Sequence, residues 1–340
     1  MGDTTQQAVE VHADRAATAT VWWMTGPGRG EFRSESAQPP APGEVAVRTL
    51  WTGISRGTES LVARGAVPTS EHERMRAPFQ AGAFPFPVKY GYLNVGVVEE
   101  GTEALIGRTV FALFPHQSRY VAPAEAVMPV PDSVPARRAV LAGAVETAVN
   151  VLWDAAPAIG DRVLVVGAGM IGCAIARLVR GIPGVDVTVA DVDQGKADVV
   201  EALGARFVHA AAPLGEADIV IEASGSAAGL QLALRSAPTD GEVVVASWYG
   251  AEPVPLELGA DFHSRRLRIR SSQVGAVAAL RRGRRSTRDR LALALRLLED
   301  PAFDLLLGPS VSWRGLPDVT ARLADGTAAG LCQTIDWSTP

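Results

Sequence analysis

The chain has 340 residues, 47% hydrophobic and 20% charged, with a formal net charge of −5. That length exceeds one typical domain and suggests two, with enough apolar material for a packed core, so a wholly disordered chain is excluded. The acidic balance gives no electrostatic reason to bind nucleic acid or an anionic membrane, and no run approaches the roughly 18 apolar residues of a membrane span, so a cytoplasmic protein without nucleic-acid or membrane partners is expected.

In chain order, residues 1–18 are polar and alanine-rich without apolar period and predict a loose tail, with no basic-then-apolar leader. Val21 to Met24, the Gly/Pro-rich turn that follows, and Glu31 to Arg33 predict a strand, a turn and a returning strand. Glu44 to Trp51 alternates strictly between apolar and polar, the mark of a half-buried strand. Short strands are expected at Tyr92 to Glu99, Arg108 to Leu113 and Ser118 to Val121, with a single helical turn at Glu71 to Met75. Such spacing, with Gly and Pro between, means an all-β unit. From Pro135 the period becomes helical, with Val140, Leu141, Val145, Val149 and Leu152 on one stripe.

Strands and helices then alternate, which predicts a parallel sheet covered on both faces. Val163 to Val166 is an unbroken apolar run, followed at once by Gly167, Gly169 and Gly172. The first glycine suits a tight strand-to-helix turn, the second a close approach of backbone to pyrophosphate, the third close packing of helix on strand. Phosphate would then rest on the helix N-terminus, at Met170 and Ile171. A second strand, Val185 to Ala190, ends at Asp191, about 20 residues past the last glycine, where a ribose-binding acid belongs. Its charge would repel a 2′-phosphate, so NAD is expected over NADP. A helix at Ala197 to Leu203, a strand from Ile219, a helix at Gly229 to Ser236 and strands from Glu242 and Leu267 complete the alternation. Helices are expected at Asp289 to Glu299 and Val319 to Leu323, then a strand-like end, Leu331 to Trp337, which must return to the β unit. Cys173 and Cys332 are the only cysteines, so there is no disulfide framework and no thiolate metal cluster.

The order of a β unit, a central nucleotide unit and a return, with the stretches Gly53-Ile-Ser-Arg-Gly-Thr-Glu59, Pro87-Val-Lys-Tyr-Gly-Tyr-Leu-Asn-Val-Gly96, Gly167 to Gly172 and Asp218-Ile-Val-Ile-Glu-Ala-Ser-Gly225, resembles the medium-chain dehydrogenase/reductase superfamily over residues 20–337. The resemblance implies an α/β fold: a Rossmann doubly wound parallel sheet over 148–271 and a GroES-like β-rich catalytic domain over 19–147 and 272–340. Zinc members carry Gly-Ile-Cys-Arg and Gly-His-Glu at the first two stretches; here Ser55, Tyr92 and Leu93 stand at the three ligand positions. Glu146 matches a glutamate ligand of polyol-dehydrogenase relatives, and one carboxylate does not make a site. A metal-free protein is therefore expected. Among metal-free relatives, the first stretch resembles that of the bacteriochlorophyllide-type hydroxyethyl dehydrogenases.

By that resemblance Arg56 meets the pyrophosphate, Lys196 the adenosine ribose and Thr147 the nicotinamide, Ser224 belongs to the cofactor turn, and the backbones around Trp248, Ser271 and Gln273 face the carboxamide. A homodimer is expected from the family. Without zinc, hydrogen-bond donors must stabilise the charge that grows on a carbonyl oxygen as hydride arrives. Tyr92 and Ser55 are the candidates, and Tyr92 packing as an ordinary aromatic is the plain alternative. His116 is a candidate proton shuttle on a loop, and Glu59 and Glu146 are alternative bases or ion-pair partners of Arg56. Ten arginines fall between Arg265 and Arg290. Such a run is ordinarily a solvated face; the sharper reading is that it guides a carboxylated or phosphorylated substrate. The expected activity is NAD-dependent interconversion of a secondary alcohol and a ketone on a bulky small molecule. The alternatives are a 1,4-reductase of an activated C=C and a non-catalytic nucleotide-binding sensor.

Overall fold

In the computed structural model, which describes residues 17–339, strands and short helices come first: β1 (Ala17–Gly26), β2 (Arg29–Ala37), β3 (Glu44–Gly53), α1 (Arg56–Arg64), β4 (Ala81–Gly82), β5 (Val88–Lys89), β6 (Asn94–Gly101), β7 (Thr109–Ala112), β8 (Arg119–Pro123), β9 (Val127–Pro129), α2 (Ala136–Ala139) and α3 (Ala142–Ala155). Alternation follows, in β10 (Arg162–Val166), α4 (Met170–Val179), β11 (Asp186–Asp191), α5 (Ala197–Ala202), β12 (Arg206–His209), β13 (Ile219–Glu222), α6 (Ala227–Ser236), β14 (Glu242–Val245) and β15 (Arg268–Ser271). The chain ends on α7 (Thr287–Leu297), β16 (Leu307–Ser312), α8 (Leu316–Asp325) and β17 (Cys332–Asp336).

Strands β10 to β15 form one parallel sheet in the order β12-β11-β10-β13-β14-β15. The order reverses between β10 and β13, and that crevice, at the carboxyl ends of the strands, is where doubly wound sheets bind ligands. The remaining strands form a four-stranded sheet, β2-β1-β5-β4, and a seven-stranded one, β16-β17-β3-β6-β7-β9 with β8 on β3. The C-terminal β17 thus pairs antiparallel with β3. Helix α3 joins the two parts. Of the stripe seen in the sequence, Val140, Leu141, Val145 and Val149 are buried in one core with Leu93, Val95 and Phe111 of the β unit and Val163, Val165 and Ile175 of the nucleotide unit, and Leu152 packs partly buried against it.

Several elements differ from expectation. The first strand begins at Ala17, so residues 17–18 belong to it and not to the tail, whose residues 1–16 lie outside the described residues. Helix α1 was not foreseen, because Gly57 in its first turn is a poor helix former. Glu59 near its start, Arg64 near its end and Gly65 in the left-handed conformation (φ 71°) compensate. Strands β12 and β16 also escaped notice. The first is short, and the second carries Pro309 at a register shift on a sheet edge, where proline is tolerated. The single helical turn expected at Glu71 to Met75 is present, closed by the Met75 N–H donating to the Glu71 carbonyl at 2.9 Å, and a 3₁₀ turn at Thr69–Glu71 leads into it.

Candidate functional site

The first and third glycines of the β10–α4 turn take the structural places that the spacing suggests. Gly167 adopts φ 107°, and a Cβ there would lie 2.6 Å from the backbone of Ala223 and Ser224 across the crevice. At Gly172 a Cβ would lie 1.9 Å from the Gly167 carbonyl oxygen, so helix and turn touch. A Cβ on Gly169 would meet nothing within 4 Å. That open position is the N-cap of α4, and no side chain caps the helix there, so its first N–H groups, at Met170 and Ile171, are left without a side-chain partner.

Asp191 ends β11 and is buried. Its Oδ2 accepts from the Ala168 N–H at 2.6 Å, its Oδ1 from the Asp193 N–H at 2.9 Å, and Lys196 Nζ donates to both oxygens at 2.9 and 3.0 Å. Burial opposes ionisation, but the two backbone donors and then Lys196 outweigh it and hold the carboxyl below the usual aspartate range. Asp191 therefore pins the glycine turn, and Lys196 is engaged with it instead of standing free beside the ribose. A group whose folded pKa lies below its unfolded value of about 3.9 contributes stability above that value and loses it as pH falls through the folded pKa. Asp191→Asn is accordingly expected to lower the melting temperature at pH 7, with the difference from the parent shrinking toward pH 3. A constant difference across that range would contradict this account.

Opposite the turn stands Glu222 at the end of β13, fully buried and not singled out from sequence. Its Oε1 accepts from the Ser224 and Gly225 N–H groups at 2.6 and 3.0 Å and from Ser224 Oγ at 2.6 Å; its Oε2 accepts from the Tyr249 hydroxyl at 2.8 Å. Burial and the Glu222 carboxylate push the Tyr249 phenol upward. Ser224 is thus a scaffold of the turn. Its signal in the sequence was the buried strand Ile219-Val-Ile-Glu222 ending in a charge, which demands partners.

In the β unit, Ser55 precedes α1 and Tyr92 precedes β6. The structure brings them together: the Ser55 and Thr58 hydroxyls lie close enough to the Tyr92 phenol to draw its pKa down. Thr58, one helical turn on, was read only as part of its motif. Burial pushes the Tyr92 phenol up to about 12, partly offset by the two hydroxyls and reinforced by Glu59. Leu93 points the other way, buried against α3, where Gly143 leaves room for it. Trp248, on the turn after β14, packs half-buried on the cluster containing Ile54 and Val62, against which Tyr92 also packs, and Gly250 lies against Leu61 of α1. The hydroxyl cluster therefore sits at the carboxyl end of the nucleotide sheet.

Beneath it lies a buried chain of hydrogen bonds. Trp337 Nε1 donates to Thr52 Oγ1 at 3.0 Å, Thr52 Oγ1 meets His116 Nδ1 at 2.8 Å, His116 Nε2 meets Glu59 Oε2 at 2.9 Å, and Glu59 Oε1 accepts the Ser55 N–H at 2.7 Å. Because a carboxylate only accepts, a ring proton of His116 sits on Nε2, toward Glu59. His116 was expected on a loop as a shuttle to solvent. It is 1% exposed, with both ring nitrogens occupied and the ring flat against Gly91, whose φ of 115° and missing Cβ make room. Glu59 is not paired with Arg56 either. Arg56 instead donates to the carbonyls of Ala328 and Gly330 at 3.4 and 3.2 Å.

Glu146 is apart from this group. It pairs with Arg290 at 3.1 Å, and burial pushes its carboxyl up while Arg290 draws it down. Thr147 donates to the Gly143 carbonyl at 2.8 Å within α3. Ser271 and Gln273 are exposed at the end of β15 and just beyond. Of the ten arginines, Arg290 is buried, Arg265, Arg266 and Arg270 pair with carboxylates, and Arg281, Arg282, Arg284 and Arg285 are exposed on the irregular segment before α7. Among the described residues no group of three or more His, Cys, Asp or Glu side chains is arranged to hold a metal ion, and no helix is long and apolar enough to cross a membrane.

No family model matches the chain. Among solved structures it is similar to L-idonate 5-dehydrogenase from Escherichia coli, at 15% identity over 94% of this chain and 98% of that one with a TM-score of 0.76. It is similar to 2R,3R-butanediol dehydrogenase from Bacillus subtilis, at 15% identity over 94% and 99% with a TM-score of 0.74. It is also similar to acetophenone reductase from Geotrichum candidum in complex with NAD, at 17% identity over 94% and 97% with a TM-score of 0.74. The chain has the fold of these dehydrogenases, a Rossmann doubly wound sheet joined to a GroES-like β-rich unit.

Proposed function

We propose that the protein is a zinc-independent, NAD(H)-dependent oxidoreductase of the medium-chain dehydrogenase/reductase type, interconverting a secondary alcohol and a ketone on a bulky, anionic small molecule. The observation that carries the reading is the convergence of the Tyr92, Ser55 and Thr58 hydroxyls at the carboxyl end of the nucleotide sheet. The donor set does not fit a zinc ion: two hydroxyl side chains and a leucine turned into the core replace the ligands, and Glu146 is held by Arg290. It does fit oxyanion stabilisation, in which uncharged donors meet negative charge as it forms. A bound nicotinamide cofactor supplies or receives the hydride. Gly167, Gly169, Met170, Ile171 and Gly172 would hold its pyrophosphate, and Asp191 its adenosine ribose. The names of the similar structures, each acting on an alcohol or a ketone, favour the same class. The exposed arginines 281, 282, 284 and 285, on the segment leaving the carboxyl end of β15, favour a substrate with negative charge.

A homodimer joined through the open edge of the sheet at β15, in a cytoplasmic enzyme, completes the proposal. The test is an assay of the purified protein with NADH and NADPH against ketones, secondary alcohols, quinones and enones, with elemental analysis for zinc. Ketone reduction with NADH, untouched by a chelator, is the expected result. Near one zinc per chain with chelator-sensitive activity, or tighter binding of NADPH than NADH, would overturn the metal and cofactor assignments respectively. Asp191→Ser is expected to narrow the preference for NADH by about 1 to 3 kcal/mol.

A further inference from the structure

Arg290 is 1% exposed, and a guanidinium taken wholly out of water is costly unless its donors are paired. Its Nε donates to Glu146 Oε1 at 3.1 Å, one terminal nitrogen to Asn150 Oδ1 and to the Ala276 carbonyl at 3.2 Å, and the other to the Val274 carbonyl. The Glu146 contact ties α7 to α3, as an ordinary buried ion pair would. The two carbonyl contacts do something further, because both belong to the irregular segment 272–278 that leaves the carboxyl end of β15. The same segment is held at its other even-numbered residues. The Ser272 N–H donates to the Val245 carbonyl at 2.8 Å, Ser272 Oγ to Asp154 at 2.7 Å, and the Ala278 N–H to Asn150 Oδ1 at 3.0 Å. On either side of the first anchor, Ser271 and Gln273 stay exposed at the carboxyl end of the sheet.

We infer that Arg290 is a positioning residue for the nicotinamide end of the cofactor. By holding the carbonyls of Val274 and Ala276 it fixes the backbone of residues 271–275 as a rigid set of donors and acceptors for the planar carboxamide, while the adenosine end is held independently across the sheet at Asp191. This rests on the dinucleotide reading above. Fixing an irregular segment before binding lowers the ordering cost that the ligand would otherwise meet.

The test compares binding of NADH with binding of ADP-ribose, which keeps the adenosine, pyrophosphate and terminal ribose but lacks the nicotinamide, by calorimetry on the full chain. Arg290→Lys keeps a charge but cannot span four acceptors. It is expected to weaken NADH by about tenfold, the scale of a lost charge-assisted hydrogen bond, and to leave ADP-ribose nearly unchanged. Should that variant fail to fold, Glu146→Gln, which loosens the guanidinium's main charge partner, is expected to shift NADH selectively in the same direction. Parallel losses for both ligands, or no loss for either, would overturn the inference while leaving the cofactor reading intact. Failure of the unaltered protein to bind either ligand would overturn the cofactor reading, and this inference with it.

Discussion

A Tyr92→Phe variant is expected to lose about 10²- to 10³-fold in kcat, the usual effect of deleting one oxyanion donor, while its affinity for NADH stays the same. The phenol lies among the Ser55 and Thr58 hydroxyls and touches none of the groups assigned to the adenosine or phosphates. Its burial pushes the pKa up to about 12, so across the physiological range it keeps its proton and is a hydrogen-bond donor. Charge growing on a substrate oxygen is then met by a neutral donor already in place. No alkaline limb from Tyr92 should therefore appear below about pH 10 in the reductive direction. Steady-state kinetics and a separate NADH titration check both parts. Full turnover by the variant, or an unaltered enzyme that reduces quinones and enones but ignores ketones, would move the assignment to conjugate reduction, which places its charge farther along the substrate.

Local chemistry with a fixed spacing was legible in the sequence. The apolar run from Val163, the glycines at 167, 169 and 172 and the acid at 191 are separated by distances that one strand, one turn and one helix dictate, and the fold follows from the alternation around them. The juxtaposition of Tyr92 with Ser55 came only through a resemblance between short stretches, since nothing in either stretch says that the other is near. Partner choice among charges was not legible. Glu59, Glu146, Arg56, His116 and Arg290 are polar residues with several chemically suitable mates, and the topology selects them: α1 and the loop between β7 and β8 bring Glu59 to His116, α3 and α7 bring Glu146 to Arg290. Burial decided the rest. An arginine in a basic run reads as solvated, and only the packing of α7 on α3 places Arg290 inside. Glu222 passed unnoticed for the same reason, as an acid at the end of a strand with its partners in later turns.

Glu59→Leu is expected to destabilise the protein by about 3 to 5 kcal/mol, the cost of removing one partner from a buried polar pair. Glu59 is 0% exposed and accepts at both oxygens, from the Ser55 N–H and from His116 Nε2. Leucine fills the space and accepts neither, so two buried donors lose their partners with no water to replace them. The loss also reaches farther. His116 is the middle of the chain that begins at Trp337, just past β17, and Thr52, in β3, so the return of the C-terminal strand is fastened through the same ring. Glu59→Gln separates shape from acceptor count. Its carbonyl oxygen can serve one donor while its amide faces the other, and an intermediate loss is expected. Denaturant unfolding of the three proteins orders them, with the parent first, Gln next and Leu last. Because Ser55 takes its place from Glu59, kcat should fall in the same order even where the variants remain folded. A Glu59→Leu protein that unfolds within about 1 kcal/mol of the parent, the size of an ordinary substitution, would mean that the Glu59–His116 contact contributes little and that Ser55 is held by the start of α1 alone.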